Sequence, residues 1–301
     1  MTTNSDWSSF PEDLAAIAQD TGPFPQRPFL EAVWHHRTDR DAELHIEATE
    51  SGIVAVVATG GIVEFAGDSD LTDYHSPLGS EGSRMVVAAL RHFTDMPFRL
   101  DSLPSETVPP ITEALEDAGI SAAVSLHAST AVLALPDTFD GWLASLSKKQ
   151  RHEARRKRRK FESEFGEFAI ERHTGDAIEL FCTMHRLSAA GKGEFMTAPM
   201  QDYFTELLNT AGASIHLLVC DDVPRAAAFG FETENGYYYY NSAYDPGAAL
   251  ASPGIVLLSS MIEAQIKRGA TFFDFLKGTE QYKYRHGAQA RPLFMLEGRT
   301  P

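Results

Sequence analysis

The stretch TFFDFLKGTEQYKYRHG, residues 271–287, decides the fold because it joins a short apolar strand to a segment rich in tyrosine and cations. The apolar run 272–276 predicts a buried strand, and Gly278 ends it. Asp274 interrupts that run, and burying an unpaired carboxylate costs several kcal/mol or forces it to bind a proton. Asp274 is therefore a candidate for acid or base chemistry, or else a helix cap or an ion-pair partner of Lys277.

Length and composition describe a globular protein of two domains. The chain has 301 residues, of which 43% are hydrophobic and 23% charged, and two domains of this size can each bury a core. No apolar run approaches the roughly 20 residues that span a bilayer, so we expect no membrane insertion. The N-terminal residues 1–14, MTTNSDWSSFPEDL, lack the basic start and apolar core of a secretory signal, which predicts a cytoplasmic protein.

Cysteines and histidines give no sign of a metal site. The only cysteines, Cys182 and Cys220, form neither a ligand pair nor a disulfide framework, and we expect buried free thiols. The 11 histidines show no ligand spacing, so no metal is predicted. His286 is expected to be a surface side chain, although an imidazole near a tyrosine is also a possible proton carrier.

Charge divides the chain into two different halves. Residues 1–140 carry 23 acids, six arginines and no lysine, whereas residues 141–301 carry 19 acids and 20 lysines and arginines. An anionic ligand should therefore be drawn to the second half, and an amine to the first.

Hydrophobic periodicity predicts mixed α+β structure in both halves, with a division after residue 138. The expected strands are 42–49, 53–58, 61–66, 98–103, 131–135, 168–172, 215–220, 225–233, 237–244, 272–276 and 293–296. The expected helices are 80–93, 108–118, 139–165, 177–190, 200–211 and 255–267.

The second half is predicted to contain a strand meander, then a loop that leads into a helix, and then a strand that ends near tyrosines. This order of elements resembles the core of the GNAT superfamily of N-acyltransferases. A more specific series resembles the double-GNAT acyltransferases related to FemABX peptidyltransferases over residues 25–297. Its pieces are GDSDLTDYHSPL, LSKKQRHEARRKRRKFE, Pro253-Gly254 before a helix, Arg268-Gly269 after it, Phe273-Asp274-Phe275, Gly278 and Tyr282-Lys283.

This resemblance implies an α+β fold of two tandem GNAT-like units, each a mixed, mostly antiparallel sheet flanked by helices. Residues 1–138 would form the acidic scaffold and acceptor side, and residues 139–301 the unit that binds the acyl donor. The implied activity is N-acyl transfer to an amine of a small molecule or peptide.

The donor stays open between acyl-CoA, such as acetyl-CoA, and aminoacyl-tRNA. Residues 247–254, GAALASPG, stand where GNAT chains usually carry a Gln or Arg and a glycine-rich turn that grips the diphosphate. The chain is too short for the helical hairpin of the tRNA-dependent FemABX enzymes, which favours acyl-CoA. A non-catalytic binding protein of the same fold is the third alternative.

The predicted donor site is the helix start that follows residue 251. Free backbone N–H groups and the helix dipole bind anions at such a position, although an ordinary helix start has the same features. The residues concerned are Ser252, Pro253, Gly254, Ile255 and Val256.

The predicted catalytic residues lie in the opening stretch. Acyl transfer needs a neutral amine, a stabilised oxyanion and a protonated leaving thiolate. The resemblance implies that Tyr282, or alternatively Tyr284, protonates the thiolate and that Lys283 contacts phosphate or developing charge. Asp274 or Glu280 would orient or deprotonate the amine. The plain alternatives are a packed Tyr282 and a solvated Lys283.

The acceptor candidates are Asp73, Tyr74, Tyr239 and Tyr244. The resemblance places an Asp-Tyr step of the first half at the acceptor, where Asp73 would hold an amine by a charge-assisted bond. A turn-forming aspartate and packed tyrosines are the alternatives.

The run 148–160 holds nine cations and one acid in 13 residues. Three interpretations are open. The run would bind along a nucleic-acid backbone, bind the diphosphate of a donor, or form a solvated helix face that docks against an acidic surface.

Overall fold

A computed structural model describes residues 2–4, 6–10, 14–39, 41–188 and 192–301, called the described chain below. Its contacts form two compact units, one of residues up to 130 together with 291–301, the other of residues 131–290. The sequence-based division after residue 138 stays a prediction about where the tandem units meet.

Strands form the sheets of both units, and β6 and β12 contribute residues to each unit. In chain order they are β1 (Thr2–Asn4), β2 (Glu43–Ala48), β3 (Ile53–Thr59), β4 (Ile62–Phe65), β5 (Pro97–Pro104), β6 (Ala122–Ala134), β7 (Ala169–His173), β8 (Ala213–Cys220), β9 (Val223–Glu232), β10 (Gly236–Tyr244), β11 (Phe272–Lys277) and β12 (Gln289–Arg299).

Helices cover the sheets. In chain order they are α1 (Arg27–His35), α2 (Gly82–Leu90), α3 (Val108–Asp117), α4 (Phe139–Ser145), α5 (Lys148–Phe165), α6 (Ile178–Arg186), α7 (Lys192–Phe195), α8 (Ala198–Thr210), α9 (Pro253–Arg268) and α10 (Gln281–Arg285), with 3-10 turns at Trp7–Ser9, Ser105–Thr107 and Pro246–Ala251. The α+β prediction is therefore confirmed.

Several predicted bounds differ from the observed ones. The expected helix 139–165 is two helices, because Ser147 caps α5 with Gln150 in a reciprocal capping box. The expected strand 131–135 is the end of the longer β6. The expected helix 177–190 ends as α6 at Arg186, and its predicted residues 189–190 lie outside the described chain.

In the first unit the strands follow the order β1-β2-β3-β4-β5-β12. Strands β4 and β5 pair in parallel, and the other neighbours that belong to this unit pair antiparallel. Helices α2 and α3 bury Leu90, Ile111 and Leu115 against this sheet.

In the second unit the order is β11-β10-β9-β8-β7; β10 and β11 pair in parallel, and the pairs β10-β9, β9-β8 and β8-β7 are antiparallel. Within the described chain their pairing ends at Tyr238 and Asp274. Tyr237, Tyr239, Phe273 and Phe275 share a core cluster with α9 on one face. Asp274 lies between two of these residues along β11 and therefore points to the opposite face.

Helix α5 is strongly cationic, and Phe161 is its one fully buried side chain. Phe161 is fully buried in the core cluster and contacts the rings of Phe165 and Phe168. Arg158 adds an ion pair to Glu263 of α9, at 3.1 Å. Ala154 and Phe165 pack partly buried against the same cluster, and the other side chains of the helix are mostly polar, so Phe161 is its main apolar anchor.

We predict that Phe161→Ala lowers the free energy of unfolding by about 3 to 5 kcal/mol, since it leaves a cavity under α5. Arg159→Ala, an exposed position on the same helix, should change it by no more than about 0.5 kcal/mol. Urea denaturation followed by tryptophan fluorescence measures both. Equal midpoints for the two variants would contradict the anchoring role of Phe161.

Candidate functional site

A cavity of about 1000 Å³ lies within the second unit. Its walls are the first turns of α5, the start of α9, and α10, and its volume suits a small-molecule ligand. It is lined by Leu146, Ser147, Lys148, Lys149, Gln150, His152, Glu153, Ala154, Arg156, Lys157, Ile255, Tyr282, Arg285 and His286. Three segments that are distant in sequence thus converge on one space.

The charge around the cavity is positive. Five cations and one carboxylate line it, and the carboxylate of Glu153 is already paired with Arg156 at 2.7 Å. That hydrogen-bonded pair lowers the pKa of Glu153, which stays ionised. Burial lowers the pKa of Lys157, which lies 4.0 Å from Glu153. The remaining lysines and Arg285 make the cavity suitable for an anion.

Two helix N-termini reach this cavity. At α5 the capping box uses the amides of Ser147 and Gln150, and the side chains of Lys148 and Lys149 supply positive charge. At α9 the residue Ser252 has a left-handed backbone, and its side chain makes no cap. The amides of Ile255 and Val256 donate to the Ser252 carbonyl at 3.1 and 3.2 Å.

These bonds narrow the predicted anion site of residues 252–256. Pro253 has no N–H, and the Ser252 amide donates to Ala249. In the described chain the amide of Gly254 is therefore the one amide of this site without an intramolecular acceptor. Ile255 lines the large cavity, and Val256 lines a smaller neighbouring one of about 40 Å³.

Of the two tyrosines predicted as the acid, Tyr282 is the one that lines the cavity. Its ring contacts Phe275 edge-on at 6.2 Å, and no described residue hydrogen-bonds its hydroxyl. Burial, followed by the negative charge that Tyr239 and Glu280 carry when ionised, raises the pKa of Tyr282 well above its usual range. The phenol therefore keeps its proton at neutral pH. Tyr284, the alternative acid, packs against the core cluster and does not line the cavity.

His286 lies beside Tyr282 and is 6% exposed, so the prediction of a surface side chain is wrong. Its backbone carbonyl accepts from Trp142 Nε1 at 2.9 Å, and the two rings stack at 6.2 Å. The signal that could have revealed it is its spacing of four residues from Tyr282, which puts both on one helix face.

Asp274 and Lys283 lie outside the cavity lining and shape the connection between β11 and α10. Asp274 accepts from the amide of Leu276 at 2.7 Å, and Leu276 has a left-handed φ of 63°. The buried ammonium of Lys283 donates to the carbonyls of Leu276 and Lys277. The alternative of a solvated Lys283 is excluded, because the residue is 3% exposed.

Glu280 caps this connection from outside. Its carboxylate lies 3.1 Å from the Lys283 nitrogen, and its side chain is mostly exposed. Gly278 has φ of +120°, and a β-carbon there would collide with Glu280 and lie 2.8 Å from the Lys283 nitrogen. The connection between β11 and α10 is therefore a strained turn, and charged side chains stabilise it.

The acceptor candidates are spread over other parts of the chain. Asp73 and Tyr74 belong to the first unit, where Tyr74 is fully buried and its hydroxyl lies 2.6 Å from Thr130 Oγ1. Tyr239 is buried in the core of the second unit, and burial raises its pKa to about 12. Tyr244 is 43% exposed at the end of β10. The four candidates are thus divided between the two units.

The described residues contain no group of three His, Cys, Asp or Glu side chains arranged to hold a metal. Both cysteines are buried free thiols, as predicted. Among the described helices, none combines the length and apolar character needed to cross a bilayer.

Comparison with known proteins gives a domain match and several structural matches. Residues 148–284 match the model described as an acetyltransferase (GNAT) domain. No curated protein matches the sequence significantly. Similar solved structures include a conserved protein of unknown function from Bacteroides thetaiotaomicron, with TM-score 0.65, 10% identity and coverage of 98% of this chain and 99% of that one.

Two further structures are informative. FemX has TM-score 0.64 and 10% identity, covering 98% of this chain and 97% of its own. L-PGS from Bacillus licheniformis has TM-score 0.60 and 12% identity, covering 92% and 93%. At such identities these similarities concern the fold.

We predict that Lys283→Met lowers the free energy of unfolding by on the order of 3 kcal/mol, because two buried carbonyls lose a charged donor. Lys267→Met, which removes an exposed lysine paired with Glu263, should have little effect. Thermal denaturation compares the two. A Lys283→Met protein as stable as the wild type, yet inactive, would instead support the chemical role that the sequence predicts for Lys283.

Proposed function

We propose that the protein is an N-acyltransferase that uses acyl-CoA, since residues 148–284 match the model of a GNAT acetyltransferase domain and the chain is similar in fold to FemX. The acyl group, with acetyl-CoA as the simplest donor, would pass to an amine of a small molecule or peptide in the cytoplasm.

The observation that carries this proposal is the cationic cavity. Five cations around a single, already paired carboxylate favour a ligand with several negative charges, such as the phosphates of CoA. The Gly254 amide and the positive end of α9 add donors for a diphosphate. Leu146, Ala154 and Ile255 supply apolar wall for the rest of the donor.

Tyr282 would act as the acid. It lines the same cavity, and its phenol remains protonated at neutral pH. When the amine nitrogen attacks the thioester carbonyl and the C–S bond breaks, the Tyr282 proton passes to the thiolate. Lys283 and Asp274 would support this step by holding α10 in place. Glu280 would keep Lys283 in position from the outer side.

The residues proposed for the acceptor lie outside the lining of the large cavity. Tyr244 is exposed and lies next to Gly254, so it would contact the acceptor or the donor near the diphosphate. Asp73 of the first unit would bind a cationic amine, whereas Tyr74 and Tyr239 are buried and would act as supports.

A second candidate donor is aminoacyl-tRNA. Lys148, Lys149, Arg155 and Arg159 have no ion-pair partner in the described chain. They extend along α5 for ~17 Å, farther than one diphosphate requires. This array would suit a nucleic-acid backbone.

We predict that Lys148→Gln with Lys149→Gln weakens acetyl-CoA binding at least about tenfold, because each charge-assisted phosphate contact contributes roughly 1.5 to 3 kcal/mol. The matched control is Arg155→Gln with Arg159→Gln, which removes the same charge from the same helix outside the large cavity. Isothermal titration calorimetry measures both double variants.

The control should bind acetyl-CoA within about twofold of the wild type. Equal weakening of both pairs would show that only general charge matters. Filter binding of charged tRNA run in parallel decides the donor: retention of tRNA without CoA binding supports the second candidate. Binding of neither ligand would favour a non-catalytic protein of this fold.

A further inference from the structure

His286 has a fixed orientation inside the cavity. Its Nδ1 lies 2.6 Å from the Tyr282 carbonyl oxygen, one helical turn earlier. Trp142 lies nearly parallel to the imidazole, at an interplanar angle of 11°, and donates to the His286 carbonyl. Phe275 lies on another side at 6.3 Å between ring centroids. These contacts leave the ring little freedom to turn.

The hydrogen bond decides which nitrogen carries the proton. A carbonyl oxygen can only accept, so Nδ1 must be the N–H donor, and Nε2 of the neutral ring keeps its lone pair. No described residue hydrogen-bonds Nε2, and Nε2 is not among the fully buried, unsatisfied atoms. Because His286 lines the cavity, this lone pair is available to a bound ligand.

The surroundings keep the ring neutral. Burial lowers the pKa of His286 to about 4, the bond to the Tyr282 carbonyl opposes this, and the charge of Lys157 adds to the lowering. The other charged groups on the cavity wall near this helix are Glu153, which is paired with Arg156, and Arg285. Tyr282, in contrast, holds its proton, so neighbouring groups on one helix are poised as acceptor and donor.

The predicted bases are not placed for this role. Asp274 points away from the face that carries Phe275 and Tyr282, and Glu280 contacts Lys283 outside the cavity lining. Glu153 does line the cavity, but its carboxylate forms two hydrogen bonds with Arg156. His286 is the neutral acceptor that remains on the wall beside Tyr282.

Building on the proposed function, we infer that His286 is the proton acceptor of the acyl transfer, with Nε2 receiving the proton of the attacking amine. The amine nitrogen forms the C–N bond, and Nε2 takes one N–H proton once the nitrogen has attacked and become acidic. The C–S bond then breaks, and the sulfur receives the Tyr282 proton. Release of the imidazolium proton to water and its return to Tyr282 restore the starting state.

The test compares His286→Asn with His173→Asn, which changes a histidine on β7 of the same unit, outside the cavity lining. Release of CoA thiol from acetyl-CoA is followed with a panel of primary amines, and acetyl-CoA affinity is measured by calorimetry. Asparagine can still donate to the Tyr282 carbonyl but cannot take up a proton. His286→Asn should lose kcat by roughly 10²-fold to 10⁴-fold at nearly unchanged acetyl-CoA affinity, whereas His173→Asn should keep both.

A second variant separates chemistry from packing. In His286→Gly, added imidazole should restore part of the turnover, and substituted imidazoles should restore it in the order of their basicity. Rescue that follows only the size of the added ring would assign His286 a packing role and overturn the inference.

The outcomes also distinguish this inference from the proposed function. If the His286→Asn variant turns over within a factor of three of the wild type, the role of His286 is overturned and the proposed function is not. A wild-type protein that neither binds acetyl-CoA nor releases thiol with any amine overturns the proposed function and this inference together.

Discussion

The ammonium of Lys283 is buried where β11 ends, and the position of α10 depends on it. Strand β11 stops pairing with β10 at Asp274, after which the backbone turns through a left-handed Leu276. A non-glycine residue in that conformation costs on the order of 1 to 3 kcal/mol unless its surroundings hold it. Asp274 binds the amide of this turn and Lys283 binds its carbonyls, so both sides of the strained residue are satisfied. The next helical turn can then present Tyr282 and His286 to the cavity.

The cavity itself depends on the contrast between a cationic helix and an apolar anchor. Phe161 packs α5 against the core. The polar face of α5 can therefore carry more cations than the carboxylates of the same helix neutralise. Charge concentrated in a concave site raises the local concentration of an anionic ligand. The acidic composition of residues 1–140 keeps the net charge of the chain at −16, so the cationic site exists on a protein that repels nucleic acid and other polyanions on average.

Much of the fold could be predicted from the sequence, because strand alternation and helical periodicity are local properties. The meander β8 to β10 and helix α9 lie within two residues of their predicted bounds. The break between α4 and α5 also has a sequence signal, since Ser147 and Gln150 have the spacing of a capping box. Local patterns cannot predict the position of β12, because residues 291–301 belong to the unit of residues up to 130, where β12 pairs with β5.

The candidate site was predictable in part. Tyr282 and Ile255 line one cavity, and part of the basic run forms its wall. Acid or base chemistry is predicted for Asp274 because a charged residue interrupts an apolar run. The sequence cannot show that this carboxylate accepts from the backbone amide of Leu276, two residues later. The spacing of four residues from Tyr282 indicates that His286 lies on the same helix face, but the burial of a single histidine leaves no sequence pattern. Gly278 has a further consequence for the evolution of such chains: any side chain there would displace Glu280 and Lys283. Glycine at this position should therefore persist even in descendants that have lost all enzymatic function, and its presence in a distant homologue would report shared architecture rather than shared activity.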